Sequence, residues 1–109
     1  MNWYLVKMVY RIVCGDGNHT PQFDEQLRLI NAGSKEEAFH KAQAMGMKEE
    51  EVFFNQQQPL VHWQFITVSE LIQLTEFVDG VEIYSRIEEK DNADNYIHFV
   101  NSKAEQICF

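Results

Sequence analysis

The chain has 109 residues, 45% of them hydrophobic and 24% charged, which suits one domain with a real core and not a disordered segment. Seventeen acidic residues against nine basic ones give a formal charge of −8. With no cluster of Lys or Arg, such a surface is repelled by nucleic-acid phosphates and by anionic membrane, so neither is an expected partner.

Trp3 to Val13 alternates with period two and reads as a first strand. Tyr4, Val6, Met8, Tyr10 and Ile12 fall on one face, the expected core, while Trp3, Leu5 and Val9 fall on the other among Lys7 and Arg11. Cys14 to Pro21 is a loop, because its two glycines, Asp, Asn and Pro all favour turns. Phe23 to Ala32 resumes alternation, with Phe23, Leu27 and Leu29 broadly in phase, as a second strand antiparallel to the first.

Ser34-Lys35-Glu36-Glu37 has the spacing of a capping box. It opens a helix whose face is Ala38, Ala42 and Met45, with Phe39 beside them, and Gly46 is its expected stop. A short apolar run, Val52 to Asn55, is broken by Gln56-Gln57-Gln58-Pro59. Leu60 to Val68 is the next strand, with His62, Gln64, Ile66 and Val68 opposite Val61, Trp63, Phe65 and Thr67. Ser69 to Thr75 fits either a bent continuation of that strand or one helical turn. Asp79-Gly80, between Phe77-Val78 and Val81-Glu82-Ile83-Tyr84, predicts a hairpin turn and a last strand over Val81–Glu88. Asp94 or Asn95 can cap a closing helix carrying Ile97, Val100, Ala104 and Ile107.

The expected order is therefore ββαβββα. It implies an α+β fold, a single domain over residues 1–109, with a mainly antiparallel sheet of four or five strands and two helices on one face. Cys14 and Cys108 make one bridge at most. Neither an export segment nor a membrane-length apolar run is visible. The expected compartment is the reducing cytoplasm, with both thiols free.

The loop is the candidate ligand site. Gly15 and Gly17 let backbone approach a ligand closely, and N–H groups in such turns can cradle an anion. His19 can act as acid or base. Asp16, Asn18 and Thr20 alternate like calcium ligands, but the acidic residue that completes such a loop is missing. Gly-Asp-Gly also lacks the Lys and helix of a phosphate loop. A plain connection rich in turn formers accounts for the same residues. Cys14 and His19 form a catalytic pair only within hydrogen-bond reach and with an oxyanion donor. His19, His40, His62 and His98 are dispersed without metal-ligand spacing, so no metal site is expected. Glu49-Glu50-Glu51 and Glu88-Glu89 are neighbours in sequence, which suits a solvated edge better than a catalytic pair across a cleft.

Several blocks carry a family resemblance: Trp3-Tyr4-Leu5-Val6-Lys7; Gln22 to Ile30; Ala32, Ser34, Glu37-Ala38-Phe39, Lys41-Ala42 and Gly46. Asn55, Trp63-Gln64-Phe65-Ile66, Val68, Glu70-Leu71 and Asp79 to Ser85 continue it. Together, over about Trp3 to Arg86, they resemble a bacterial family catalogued as domain of unknown function 4288. The resemblance implies a small, stand-alone, bacterial cytosolic protein and carries over no activity or catalytic residue.

No catalytic residue and no cofactor is expected. The favoured reading is a non-enzymatic binding or interaction module that self-associates as a homodimer, with Trp3, Leu5 and Val9 at the interface, because two helices cannot cover both faces of the sheet. One alternative is a small-ligand or enzyme site over Gly15, Asp16, Gly17, Asn18, His19 and Thr20. Another is an acidic, immunity-like antagonist of a basic protein partner.

Overall fold

A computed structural model of the chain describes residues 1–56 and 61–109. Its elements are β1 (Asn2–Cys14), β2 (Gln22–Ala32), α1 (Lys35–Gln56), β3 (Val61–Leu74) and α2 (Ala93–Glu105). The three strands form an antiparallel sheet in the order β2-β1-β3. The central place falls to β1, the strand with apolar residues on both faces. The fold is α+β as expected, with three strands among the described residues in place of four or five, and the order ββαβα.

One face of the sheet is the core. Tyr4, Val6, Met8 and Tyr10 are buried there against Ile30 and Ala32 of β2, Phe65 and Val68 of β3, and Ala38 and Ala42 of α1. The small α1 residues let the helix lie close to the strands. Its start is the capping box read from the sequence: Ser34 Oγ accepts from Glu37 N at 3.1 Å, and Glu37 Oε2 accepts from Gly33 N at 3.0 Å. Glu37 thus reaches one residue further back than the usual box.

Gly46 does not stop this helix, which continues to Gln56. Gly46 has no positive φ, so it is not a left-handed cap. Met47 to Glu50 are helix-compatible and carry the helix on.

The third strand departs from strict alternation. Two bulges, between the partners of Lys7 and Met8 and again of Val9 and Tyr10, each leave an extra β3 residue. Phe65, Val68 and Leu71 therefore face the core at intervals of three, opposite Tyr10, Met8 and Val6. The ambiguous Ser69–Thr75 stretch resolves as strand up to Leu74. Of the predicted break Gln56-Gln57-Gln58-Pro59, Gln56 is the last residue of α1; Gln57 to Pro59, and Leu60, the predicted first residue of the strand, lie outside the described residues.

The predicted hairpin at Asp79-Gly80 is a turn without strands. Val81 N donates to Val78 O at 3.1 Å, and Gly80 has φ +84°. Among the described residues no non-glycine has positive φ, Asp79 included. A hairpin turn needs positive φ at its first central residue; a turn positive only at the second splays the chains that flank it. Accordingly neither Phe77-Val78 nor Val81–Glu88 is a strand.

The closing helix is capped by Asn92, not by Asp94 or Asn95: Asn92 Oδ1 accepts from Asn95 N at 2.9 Å. It does not join α1 on the core face. None of its residues is buried, and it touches no other helix or strand among the described residues.

Candidate functional site

With α1 on one side, the other face of the sheet is left to solvent and to the connector between β3 and α2. The expected interface residues Trp3, Leu5 and Val9 all lie on this outer face of β1. The register brings Leu29 opposite Leu5 and Leu27 opposite Lys7 on β2, and Ile72 opposite Leu5 and Leu74 opposite Trp3 on β3. Leu5 is already 6% exposed, whereas Trp3, Leu27, Leu29 and Ile72 around it remain between 40% and 52% exposed. Their open surface is on the order of 400 Å², the size of patch that commonly marks an interaction site. At the far end Val9 is half-buried beside Arg11, whose Nε is buried without a hydrogen-bond partner in the described structure.

Lys7 sits at the middle of this face and is 8% exposed. A buried ammonium requires partners, and it has three. Its Nζ donates to Tyr84 Oη at 3.2 Å and lies 3.1 Å from Glu70 Oε2 and 3.4 Å from Glu25 Oε1. Tyr84 Oη in turn donates to Glu70 Oε2 at 2.8 Å. The Tyr84 hydroxyl, then the Glu70 carboxylate, hold Lys7 above the ordinary lysine range, and the Tyr84 hydroxyl, then the Lys7 ammonium, hold Glu70 below the ordinary carboxylate range. The arrangement neutralises the charge inside an apolar face and ties the connector over it at Tyr84. Sequence reading put Lys7 on this face but missed Glu25, Glu70 and Tyr84. Glu70 needs the β3 bulges before it falls opposite Lys7, and Tyr84 lies in no strand.

The Cys14–Thr20 loop is built from its own hydrogen bonds. Gly15 and Gly17 take positive φ, +56° and +82°. Gly17 N donates to Cys14 O at 2.9 Å, Asn18 N to Asp16 Oδ1 at 2.9 Å and His19 N to Gly17 O at 2.9 Å. The His19 ring closes the loop: its Nε2 accepts from Cys14 N at 3.0 Å, and its Nδ1, which therefore carries the proton, donates to Thr20 O at 2.9 Å. Cys14, Gly15, Asn18, His19 and Thr20 thus share one shallow depression. Both ring nitrogens of His19, and the N–H groups of residues 17 to 19, are spent on holding the turn.

A third feature lies on the core side, where β2 turns polar. A cleft of about 280 Å³ is lined by Tyr10, Asp24, Gln26, Glu49, Glu50 and Trp63. Glu49 accepts from both terminal guanidinium nitrogens of Arg28, at 2.5 and 2.9 Å, and from the Tyr10 hydroxyl at 2.7 Å. Asp24 Oδ2 accepts from Gln26 Nε2 at 2.6 Å and Trp63 Nε1 at 3.2 Å, and Glu50 Oε2 accepts from Phe65 N at 3.0 Å. Arg28 holds Glu49 below the usual carboxylate range, and burial followed by Glu49 pushes the Tyr10 phenol up. The acids read from the sequence as a solvated edge are therefore in part a clamp between α1 and the sheet. No group of three His, Cys, Asp or Glu among the described residues is placed to hold a metal, and no described helix is long and apolar enough to cross a membrane.

No curated protein and no solved structure matches this chain. A family model does, over residues 3–85, which takes in all of the sheet after Asn2, α1 and Tyr84 but stops short of α2. The chain belongs to the family described as Domain of unknown function (DUF4288).

Proposed function

We propose that this protein is a non-enzymatic interaction module that self-associates through the outer face of its sheet. The observation that carries the reading is the unpartnered apolar surface formed by Trp3, Leu27, Leu29 and Ile72 around Leu5, opposite the face that α1 covers. A second copy is the economical cover, because in a two-fold dimer each copy shields the other's patch by the same contact. Val9 and Arg11 extend the surface, and the neutralised Lys7 lets it be buried without an uncompensated charge. Two free thiols and an acidic surface suit the cytoplasm as the compartment. The loop-site and acidic-antagonist readings have no comparable surface behind them.

Sedimentation equilibrium at micromolar concentration tests the proposal. The expected species is a dimer of the 12.8 kDa chain, with Trp3→Glu weakening it at least about tenfold, since a charge placed in an apolar contact stays unpaired. A single monomeric species, the same with and without Trp3→Glu, overturns it.

A further inference from the structure

Within its own chain the helix α2 meets the connector that leads into it, with Lys90 Nζ over the Tyr96 ring at 5.2 Å, but no other described helix or strand. Its 13 residues are well capped, yet none is buried. Isolated helices of this length are marginal in water and depend on packing of an apolar face. That face exists: Ile97, Val100 and Ala104 recur at spacings of three and four, with Tyr96 and Phe99 beside them. The four large residues among these are between 38% and 57% exposed.

The dimensions of the whole chain carry the same surplus. The radius of gyration is 17.6 Å, against about 13 Å for a compact chain of this length. The accessible surface is 8502 Å², against roughly 6,300 Å² for a compact monomer of this mass. The excess, on the order of 2,200 Å², is of the size that obligate dimers bury.

We infer that α2 is an exchanged arm: it packs on the outer sheet face of a second copy of this chain, and each copy lends its helix to the other. This rests on the self-association proposed above and adds which element fills the face. The fit is one of size and chemistry. The helix is about 20 Å long and ~10 Å across, and the outer surface of three strands spaced ~4.8 Å apart has width to seat it. Apolar Ile97, Phe99 and Val100 meet apolar Trp3, Leu27 and Leu29. The partner's face is chosen over its own because the connector is pinned at Tyr84 over its own Lys7, and residues 85–92 then carry α2 clear of that sheet. A reciprocal exchange satisfies both copies with one kind of contact.

The test uses full-length chains, sedimentation equilibrium and hydrogen exchange. One variant carries Ile97→Asp and Val100→Asp in the helix; the other carries Leu27→Glu and Leu29→Glu on the face. Protection of the strand amides confirms that each still folds, and the helix residues touch nothing in the core. The expected result is a parent dimer with protected α2 amides, and two variants that are each monomeric with α2 protection lost. An equimolar mixture of the variants is expected to associate, because the intact helix of one can seat on the intact face of the other. A parent that dimerises while α2 stays unprotected, or a helix variant that still dimerises, overturns the exchange and leaves self-association standing. Two monomeric variants that do not associate when mixed also overturn it, since a helix packed within its own chain cannot be complemented. A parent that is monomeric at every concentration overturns both readings.

Discussion

The backbone of Gly46 in α1 lies against the ring of Phe65 in β3. A Cβ added at Gly46 would come closer than 3.0 Å to Cδ1, Cε1 and Cζ of that ring. The ring is also packed against Tyr10 in a T-shaped pair, 5.5 Å between centroids, which restricts its movement. Here glycine is a packing residue that lets helix and strand approach. Gly46→Ala is expected to destabilise by about 1–2 kcal/mol, the overpacking cost outweighing the gain of roughly 1 kcal/mol that alanine brings to a helix interior. Urea denaturation checks this. A midpoint at or above the parent's would mean that the helix can move off Phe65.

The Arg28–Glu49–Tyr10 clamp makes part of the stability depend on pH. Arg28 holds Glu49 below its ordinary carboxylate value, and the Tyr10 hydroxyl adds to this. A carboxylate with a depressed folded value contributes stability that is fully present above its unfolded value, near 4.5, and lost as pH falls through the folded one. Glu49→Gln is expected to be less stable than the parent at neutral pH by about 1 kcal/mol, modest because the carboxylate is partly exposed. The two proteins should converge as pH falls through the depressed folded value of Glu49. A gap that persists in acid would assign the loss to packing and not to charge.

Much of the core was legible because β1 obeys a single rule. Its period of two separates Tyr4, Val6, Met8 and Tyr10 from Trp3, Leu5 and Val9, and the register keeps that separation. The same rule fails on β3, where two bulges turn the interval from two to three after Phe65; no local signal marks an inserted residue. Gly46 was misread because a glycine late in a helix serves equally as a stop or as a close contact, and only the partner Phe65 distinguishes them. Asp79-Gly80 was read correctly as a turn and wrongly as a hairpin, since the composition of the pair does not say which central residue takes positive φ. On β2, Asp24, Gln26 and Arg28 face the helix and Leu27 and Leu29 face out. That inversion hid the β2 share of the outer patch, Leu27 and Leu29, although its β1 share, Trp3, Leu5 and Val9, was legible.

The two thiols differ in setting, and this is open to direct measurement. Both are free. Cys108 is exposed beyond the end of α2, whereas Cys14 is half-buried at the end of β1, paired across the sheet with Val61. Reactivity follows access as well as thiolate content. A disulfide reagent on native, reduced protein is therefore expected to modify one thiol at least about tenfold faster than the other. Cys108→Ser should abolish the fast phase, and denaturation should release the second equivalent. A fast phase that survives Cys108→Ser would show that the loop around Cys14 opens readily.

Tyr84 is the tether between the connector and the outer face, and its removal should loosen the connector without unfolding the sheet. In Tyr84→Phe the ring stays and the hydroxyl goes, so Lys7 loses one acceptor but keeps Glu70 at 3.1 Å and Glu25 at 3.4 Å. The ammonium thus remains paired, and global stability should fall by no more than about 1 kcal/mol, the usual worth of one hydrogen bond. The local effect is larger in kind. Segments with few buried contacts open independently of the core, and the hydroxyl is the group through which residues 81–84 hold the sheet face at Lys7. Amide exchange over Val81–Arg86 is expected to quicken roughly fivefold, while β1 amides keep the parent's rates. The Lys7 titration should also move down toward the ordinary lysine range, because the Tyr84 hydroxyl is the largest of the influences raising it. Unchanged exchange in the connector together with a marked loss of global stability would show that Tyr84 belongs to the core and is not a tether.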